Sequence, residues 1–410
     1  MRGVNEQPSE PGGNLRNLRV IASTSFLAGL SYNMMEAVWQ PFILSLGAPM
    51  SALGLLESLG GRRGVMITLI QAVSGWFSDR LGRKPLIALG SLVCLLAVSF
   101  YILAAIIGHW WLLLPGSILL GAGLASRPVE SSLTAESVDF SRRGIAFSIL
   151  MASWITPGIF APALGGFIAD RRGFTPVFLV CVGLESLRLL FILWLLVETL
   201  SKASAVVSLR ELKGVLLSMV VLPRELRSFY WVVAIDSFVW GLGNDLLFGM
   251  LSQTYGFTTF QLGVMSSLRS LVWALSQLPI GKLVDRYGCK PFLVLSGVIA
   301  VIVVVGRLFS ISFPSFAILH ACFGLSAATW VPVQQALLAN SVPAKQLGEA
   351  MGRLFTLRGL IAFPAPYLGG LLYDHFGFQA PILANLIGAV IVLVVILFGV
   401  KEPPRQEYLD

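Results

Sequence analysis

The chain has 410 residues, 56% of them hydrophobic and only 12% charged, with a formal net charge of +8. A water-soluble domain carries about 25% charged residues. No soluble core holds this much apolar surface, so lipid must be the solvent for much of the chain. The positive charge does not point to nucleic acid, because the basic residues gather at the ends of apolar stretches and form no continuous stripe.

The polar start, residues 1–17, lacks an apolar core followed by a small-residue cleavage site. It reads as a cytoplasmic tail and not as a signal peptide. A spanning helix needs about 20 mostly apolar residues. On that scale twelve spans are expected, the first six near 18–44, 51–78, 85–107, 111–138, 144–169 and 175–197. The second six fall near 228–252, 259–284, 291–311, 314–341, 346–373 and 379–400. The expected fold is therefore an all-α membrane protein of two six-helix bundles, 18–197 and 228–400. A polar, basic connector, 198–227, separates them, and 401–410 forms a second tail. Within the connector, Leu209 to Met219 has helical apolar spacing suited to the membrane surface. With both termini inside, the outer loops hold only Arg171 and Arg172 among the basic residues, which favours cytoplasmic tails in a cell (plasma or inner) membrane.

The halves repeat each other. Gly75-Trp-Phe-Ser-Asp79-Arg80-Leu-Gly82-Arg83-Lys84-Pro85 returns 206 residues later as Gly281-Lys-Leu-Val-Asp285-Arg286-Tyr-Gly288-Cys289-Lys290-Pro291. Ala161-Pro162-Ala-Leu-Gly165-Gly166 returns 204 residues later as Ala365-Pro366-Tyr-Leu-Gly369-Gly370, and Pro128 as Pro332 at the same offset. Repeats of this kind place a binding site at the interface between halves in many transporters.

The two Gly-x-x-x-Asp-Arg-x-Gly-x-Lys stretches resemble the loop between helices 2 and 3, and its repeat between helices 8 and 9, of the major facilitator superfamily. The resemblance covers nearly the whole chain. The second copy departs in carrying Cys289 where the first has Arg83. The helix 5 stretch Gly158-Ile-Phe-Ala161-Pro162-Ala-Leu-Gly165-Gly166 resembles the Gly-Pro-x-x-Gly-Gly pattern of that superfamily's drug and metabolite proton antiporters, with Ala161 for a glycine. Helix 4 departs further. Those antiporters carry an arginine shortly before a Gly-x-Gly, whereas Gly121-Ala-Gly123 follows Ser117 here and the arginine comes later, as Arg127. The resemblance implies the major facilitator fold, alternating access and solute transport. It also implies a gate built from Asp79, Arg80, Arg83, Lys84, Glu136, Asp139, Asp285, Arg286 and Lys290. Asp79 and Asp285 end helices 2 and 8, where a carboxylate interacts with a neighbouring helix N-terminus or with loop arginines. Arg83 is placed to reach Glu136 or Asp139 at the end of helix 4.

Ionisable residues inside spans are costly in lipid, so they face a cavity or a partner. Helix 1 puts Asn33, Glu36 and Gln40 on one face. Aligning Gly47 with Gly256 sets Glu36 opposite Asp245, next to Asn244 in helix 7. Either acid is a candidate proton site or one half of a buried helix–helix hydrogen bond. Arg127 and Glu130 stand three residues apart about Pro128 and are expected to pair. The repeat sets Gln334, with Gln335 beside it, opposite Glu130. Arg269 and Arg358 have no local acid and need partners from other helices, such as Asp245 or Glu36, or a substrate anion. Arg62 and Arg63 are harder to place. Glu185 and Arg188 are spaced as a local structural pair, and Arg307 reads as structural too. Trp39, Trp154, Trp240, Trp273 and Trp330 fall inside spans, where they pack or stack on a flat or cationic solute.

Cys94, Cys181, Cys289 and Cys322 are scattered without metal spacing, and His109, His320 and His375 lie far apart. No Gly-x-x-x-x-Gly-Lys-Ser/Thr stretch occurs. The expectation is a monomeric carrier without cofactor, metal or enzymatic activity. Its partners would be a small solute, protons as coupling ion, and the bilayer. Three functions remain open: proton-coupled export of an organic solute, uptake or facilitated diffusion of an anionic metabolite through Arg127, Arg269 and Arg358, and a non-transporting receptor on the same fold.

Overall fold

The computed structural model describes residues 15–61, 64–139, 142–200, 226–342 and 347–400. Arg62 and Arg63, most of the connector with its expected surface helix, residues 1–14 of the first tail and the whole of the second lie outside the described residues, and α1 takes in the last three residues expected for the first tail. The described chain is helical, with no strand. In chain order the N-terminal half comprises α1 Leu15–Glu36, α2 Trp39–Ser45, α3 Met50–Gly60, α4 Val65–Leu81, α5 Arg83–Ile107, α6 Leu113–Leu124, α7 Arg127–Glu136, α8 Arg143–Ile155, α9 Ala161–Arg172 and α10 Phe174–Leu195. The C-terminal half comprises α11 Arg227–Gly243, α12 Leu247–Tyr255, α13 Thr259–Tyr287, α14 Lys290–Phe309, α15 Phe313–Ser341, α16 Leu347–Ala362, α17 Ala365–Phe376 and α18 Gln379–Gly399. Among the described residues, 9 helical stretches are long and apolar enough to cross a membrane. The legs 15–45, 50–81 and 259–287 occupy the positions of the other expected spans but fall short of that measure. Ser266, Ser267, Arg269, Ser270 and Gln277 make α13 polar.

Several legs that read as continuous spans in the sequence are broken in mid-course. The second leg parts at Gly61 and Gly64, whose backbones are extended. The fourth is interrupted just before Pro128, and the fifth passes through a 3₁₀ turn, Thr156–Ile159, that contains Pro157. The seventh breaks between Gly243 and Leu247. Non-helical backbone at membrane depth is tolerated where protein buries it or where it lines a cavity.

Gly82 and Gly288, the corresponding glycines of the two gate stretches, have φ of +100° and +91°. An L side chain rarely adopts that conformation, and glycine adopts it freely. The repeated motif glycine therefore has a backbone reason: it turns the chain sharply from α4 into α5 and from α13 toward α14.

The buried apolar core is continuous on one face and divided on the other. On the face carrying Gly47 and Gly256, one cluster crosses both halves, joining Met34, Phe42, Leu53 and Phe178 to Trp240, Leu251, Phe316 and Phe378. On the face carrying Asp79 and Asp285 the core splits. Ile21, Ile87, Leu133 and Ile192 form one cluster, and Tyr230, Val284, Leu338 and Ile396 form another. The halves are thus packed together at one membrane face. The outer surface is apolar, with Trp194, Phe309 and Phe398 turned outward at 75%, 82% and 85% exposure, as expected for a lipid-facing shell.

Glycine makes the packed face possible. A Cβ on Gly166 would collide with the carbonyl of Thr259, and one on Gly263 with that of Pro162. The other half mirrors this crossing: Gly370 meets the Met50 carbonyl, and Gly54 meets that of Pro366. Close backbone approach through small residues is the ordinary means of helix association in lipid.

Candidate functional site

Each helix crossing at the packed face ends in a carboxylate latch. Asp170, in the last turn of α9, accepts from the backbone N–H of Thr259 and of Phe260, both at 3.0 Å, and from the Thr259 hydroxyl. Asp374, in the last turn of α17, accepts from Met50 N at 3.0 Å and Ser51 N at 2.9 Å. Each acid caps the first-turn donors of a helix in the opposite half. Those donors have no intrahelical partner, and the helix dipole favours an anion there.

Behind the latches lies a cavity of about 360 Å³ between the halves. The first helix contributes Tyr32, Glu36, Trp39 and Gln40 to it, and the seventh leg contributes Asp236, Trp240, Asn244 and Asp245. Arg269, Trp273, His320, Phe323, Trp330 and Arg358 stand in the C-terminal wall. Of the residues that the sequence marked for substrate or proton, Glu36, Gln40, Asn244, Asp245, Arg269 and Arg358 line this space. Four of the five tryptophans do so as well.

An ion pair crosses the cavity. Arg269 Nη2 lies 2.9 Å from Glu36 Oε1, with the two side chains only 13% and 16% exposed. Ser266 Oγ donates to Glu36 Oε2 at 2.8 Å. Helix α1 is thereby tied to α13. Gln40 makes a second bridge: its Nε2 donates to the Asp245 carbonyl at 2.6 Å, and its Oε1 accepts from Gly249 N at 2.7 Å. Asp236 accepts from Trp240 Nε1 at 3.0 Å and fixes that ring at the cavity wall.

Several expected site residues lie elsewhere. Asn33 is buried, donates to the Gly29 carbonyl at 2.7 Å and sits against Gly158. Gln334 is buried and Gln335 exposed, and neither lines the cavity. The expected Arg127–Glu130 pair does not form. Arg127 lies over the Trp154 ring, 3.1 Å from its centre. Glu130 turns instead to α10, where Arg188 Nη2 reaches it at 2.8 Å. Arg188 also holds Glu185 at 3.2 Å, so the local pair read from the sequence is one arm of a buried Glu130–Arg188–Glu185 triad. Helix spacing permits a neighbour contact without enforcing it, and the third member came from a helix that sequence distance could not bring into view.

At the gate stretch, Arg83 pairs with Asp79 at 2.6 Å and with Glu136 at 2.8 Å, and it donates to the Ser78 hydroxyl. Asp139 is exposed, and Glu136 takes the contact that was open to either acid. Arg80 stacks on Trp76, 4.0 Å from the ring centre. Asp79 pairs with an arginine and leaves the helix terminus to Glu198. That acid accepts from the Arg83 and Lys84 backbone N–H groups at 3.0 and 2.9 Å, at the start of α5. Lys84 Nζ donates to the Leu193 carbonyl. In the second copy Arg286 lies over Tyr287, Asp285 is exposed, and Cys289 is buried in the apolar core where Arg83 stands in the first. Lys290 begins α14. The sequence reading missed Glu198 and His320. A single acid just past a helix end and a single histidine in an apolar run carry little signal by themselves.

Comparison with known proteins agrees with this architecture. Residues 21–252 and 237–409 match the family model described as Major Facilitator Superfamily. The multidrug resistance protein MdtG of Salmonella arizonae is 24% identical over 382 residues, covering 89% of this chain and 90% of its own length. MdtG of Citrobacter koseri is likewise 24% identical over 375 residues, with the same coverage. Among solved structures, the nucleoside transporter NupG superposes with a TM-score of 0.76 at 13% identity, over 93% of this chain and 98% of that one. A D-xylose–proton symporter gives 0.72 at 16%, over 95% and 99%. The human organic anion transporter MFSD10 gives 0.68 at 17%, over 95% and 100%.

Proposed function

The chain belongs to the Major Facilitator Superfamily, and from that premise we propose that it is a secondary active transporter that exports a small organic solute in exchange for protons by alternating access. The observation that carries this reading is the Glu36–Arg269 ion pair, which spans the two halves inside a cavity whose far side is latched. Separating such a pair by removing one charge costs about 3–5 kcal/mol, enough to invert a two-state equilibrium whose members differ by a few kcal/mol. A proton on Glu36 does the same reversibly. It neutralises the carboxylate, leaves Ser266 as a hydrogen-bond partner, and frees Arg269 from α1. The tie between α1 and α13 then loosens, and the halves can rock open at the Gly47/Gly256 face.

The latched face is the outer one in this reading, and the face with Asp79 and Asp285 is cytoplasmic. The support is the placement of the basic residues, which leaves only Arg171 and Arg172 outside. Both tails are then cytoplasmic, the structure is the inward-facing member of the cycle, and a monomer in the cell membrane suffices. The bonds from Arg83 to Asp79, Ser78 and Glu136 brace the inner ends of α4, α5 and α7 so that they move as one body. Tyr32, Trp39, Trp240, Trp273 and Trp330 give the cavity flat apolar walls suited to amphipathic solutes. The MdtG relatives bear the name multidrug resistance protein, which favours export. Asp245 remains a second proton carrier in the cavity. Glu130, committed to Arg188 away from it, is not the coupling acid in this scheme.

The test is flux in liposomes containing the purified protein, under an imposed pH gradient, with a panel of cationic, neutral and anionic aromatic solutes. Efflux driven by the gradient supports the proposal. Flux that ignores the gradient overturns the coupling, and absence of flux for every solute overturns transport itself.

A further inference from the structure

Among the described residues Arg307 is the largest fully buried side chain, at 0% exposure. Its hydrogen bonds go to Asn244 Oδ1 at 3.1 Å and to His320 Nδ1 at 3.4 Å, and its guanidinium lies 5.5 Å from the centre of the Phe323 ring. Neither hydrogen-bond partner is an acid, and among the described residues no carboxylate forms an ion pair with Arg307. A helix–helix pin could be built from a neutral amide. A guanidinium left uncompensated at membrane depth is costly, and it is normally retained where it serves an ion or a substrate.

The arginine also dictates what its two partners show. Guanidinium groups only donate. Asn244 therefore spends its oxygen on Arg307 and is left with its amide N–H groups. His320 must accept at Nδ1, so its ring proton sits on Nε2. That Nε2 is buried without a hydrogen-bond partner. Both residues line the central cavity. The result is a pair of N–H donors, each polarised from behind by one unbalanced positive charge. Phe248 and Phe323 flank the histidine at ring distances of 5.4 and 6.0 Å.

We propose that Asn244 and His320, backed by Arg307, form a subsite for the carboxylate of an aromatic or otherwise apolar organic acid. Two donors match two carboxylate oxygens, one positive charge matches one negative charge, and the neighbouring rings take the apolar body. The subsite lies in the C-terminal half, within electrostatic range of the Arg269 guanidinium, whose charge Glu36 already pairs. It rests on the cavity being the substrate path and narrows the class of solute that the path takes.

The test uses the full chain in detergent and two probes of equal size, benzoate and benzamide, with quenching of the cavity tryptophans as readout. Wild-type protein is expected to bind benzoate at least about tenfold more tightly than benzamide. Arg307→Met should abolish that preference by weakening benzoate binding more than benzamide binding. Asn244→Leu and His320→Phe should each reduce it, which keeps the test open if the arginine variant fails to fold. Benzoate binding no tighter than benzamide in the wild type, including no binding of either, overturns the subsite, as does a preference that survives Arg307→Met. The assay needs no pH gradient. A benzoate preference without gradient-driven flux would sink the coupling scheme and leave the subsite standing, and the reverse result would do the opposite.

Discussion

Asp170 and Asp374 occupy corresponding positions in the two repeats, and each caps the first turn of a helix in the other half: Asp170 that of α13, Asp374 that of α3. The two-fold relation of the fold is thus written into a pair of reciprocal latches on one membrane face. An acid at a helix N-terminus contributes about 0.5–2 kcal/mol. Asp170→Ala and Asp374→Ala should therefore each shift the equilibrium toward opening of that face, and the double variant should shift it by about the sum, because the latches share no partner. Amide hydrogen exchange over 259–265 and 50–56 would register the change. Unaltered exchange in both variants would show that the latches do not hold the face.

The glycine crossings behind the latches give a steric prediction. A side chain at Gly263 would meet the Pro162 carbonyl, and one at Gly54 would meet that of Pro366. Gly263→Leu or Gly54→Leu should wedge the packed face open and abolish transport with the chain still folded in the membrane. Gly183→Ala, at a helical position where an added Cβ meets no neighbouring element, should transport like the wild type. Normal flux in Gly263→Leu would mean that the halves need not close there.

The cavity ion pair predicts the form of a double-mutant cycle. Glu36→Gln keeps the size of the side chain and an acceptor for Ser266 while removing the charge that Arg269 contacts. Gradient-driven flux should be lost in Glu36→Gln, with passive exchange of solute retained. Arg269→Gln alone should be impaired, and adding Glu36→Gln should cost less than the two single effects combined. Additive losses would show that the two residues act separately.

The Glu130–Arg188–Glu185 triad should behave as structure. Arg188→Met leaves two buried carboxylates without their cation, and breaking a buried pair in this way costs about 3–5 kcal/mol. The variant should melt well below the wild type and accumulate poorly. Glu130→Gln leaves Arg188 and Glu185 matched and should be mild. Thermal unfolding in detergent decides this, and a melting temperature for Arg188→Met equal to that of the wild type would refute it.

The sequence carried the repeat, the gate stretches and the residues of the first helix that face the cavity, because these are local patterns or copies of one another. From the family resemblance Arg83 was expected to reach Glu136 or Asp139, and only the assembled helices select Glu136. The Glu36–Arg269 pair was legible as one of three options, beside Asp245 and a substrate anion, since a buried charge must find a partner and few acids sit at that depth. The Arg127–Glu130 expectation failed because nearest-neighbour spacing on α7 competed with partners on other helices, Trp154 for one side chain and Arg188 for the other. Arg307 looked structural because its apolar surroundings show in the sequence, whereas the lack of a compensating acid shows only once the helices are assembled. Glu198 was hidden in a connector that reads as topology alone.

At the four crossing glycines of the packed face, backbone meets backbone with no side chain between them. What lets the halves come together is therefore written in residues that never touch a solute, and what the cavity accepts is written in residues that never touch the crossings. The two can diverge independently over evolutionary time. Related chains should hold Gly54, Gly166, Gly263 and Gly370 nearly fixed while exchanging Asn244, His320 and Trp273 freely, so that a lineage acquires a new cargo without rebuilding the crossings.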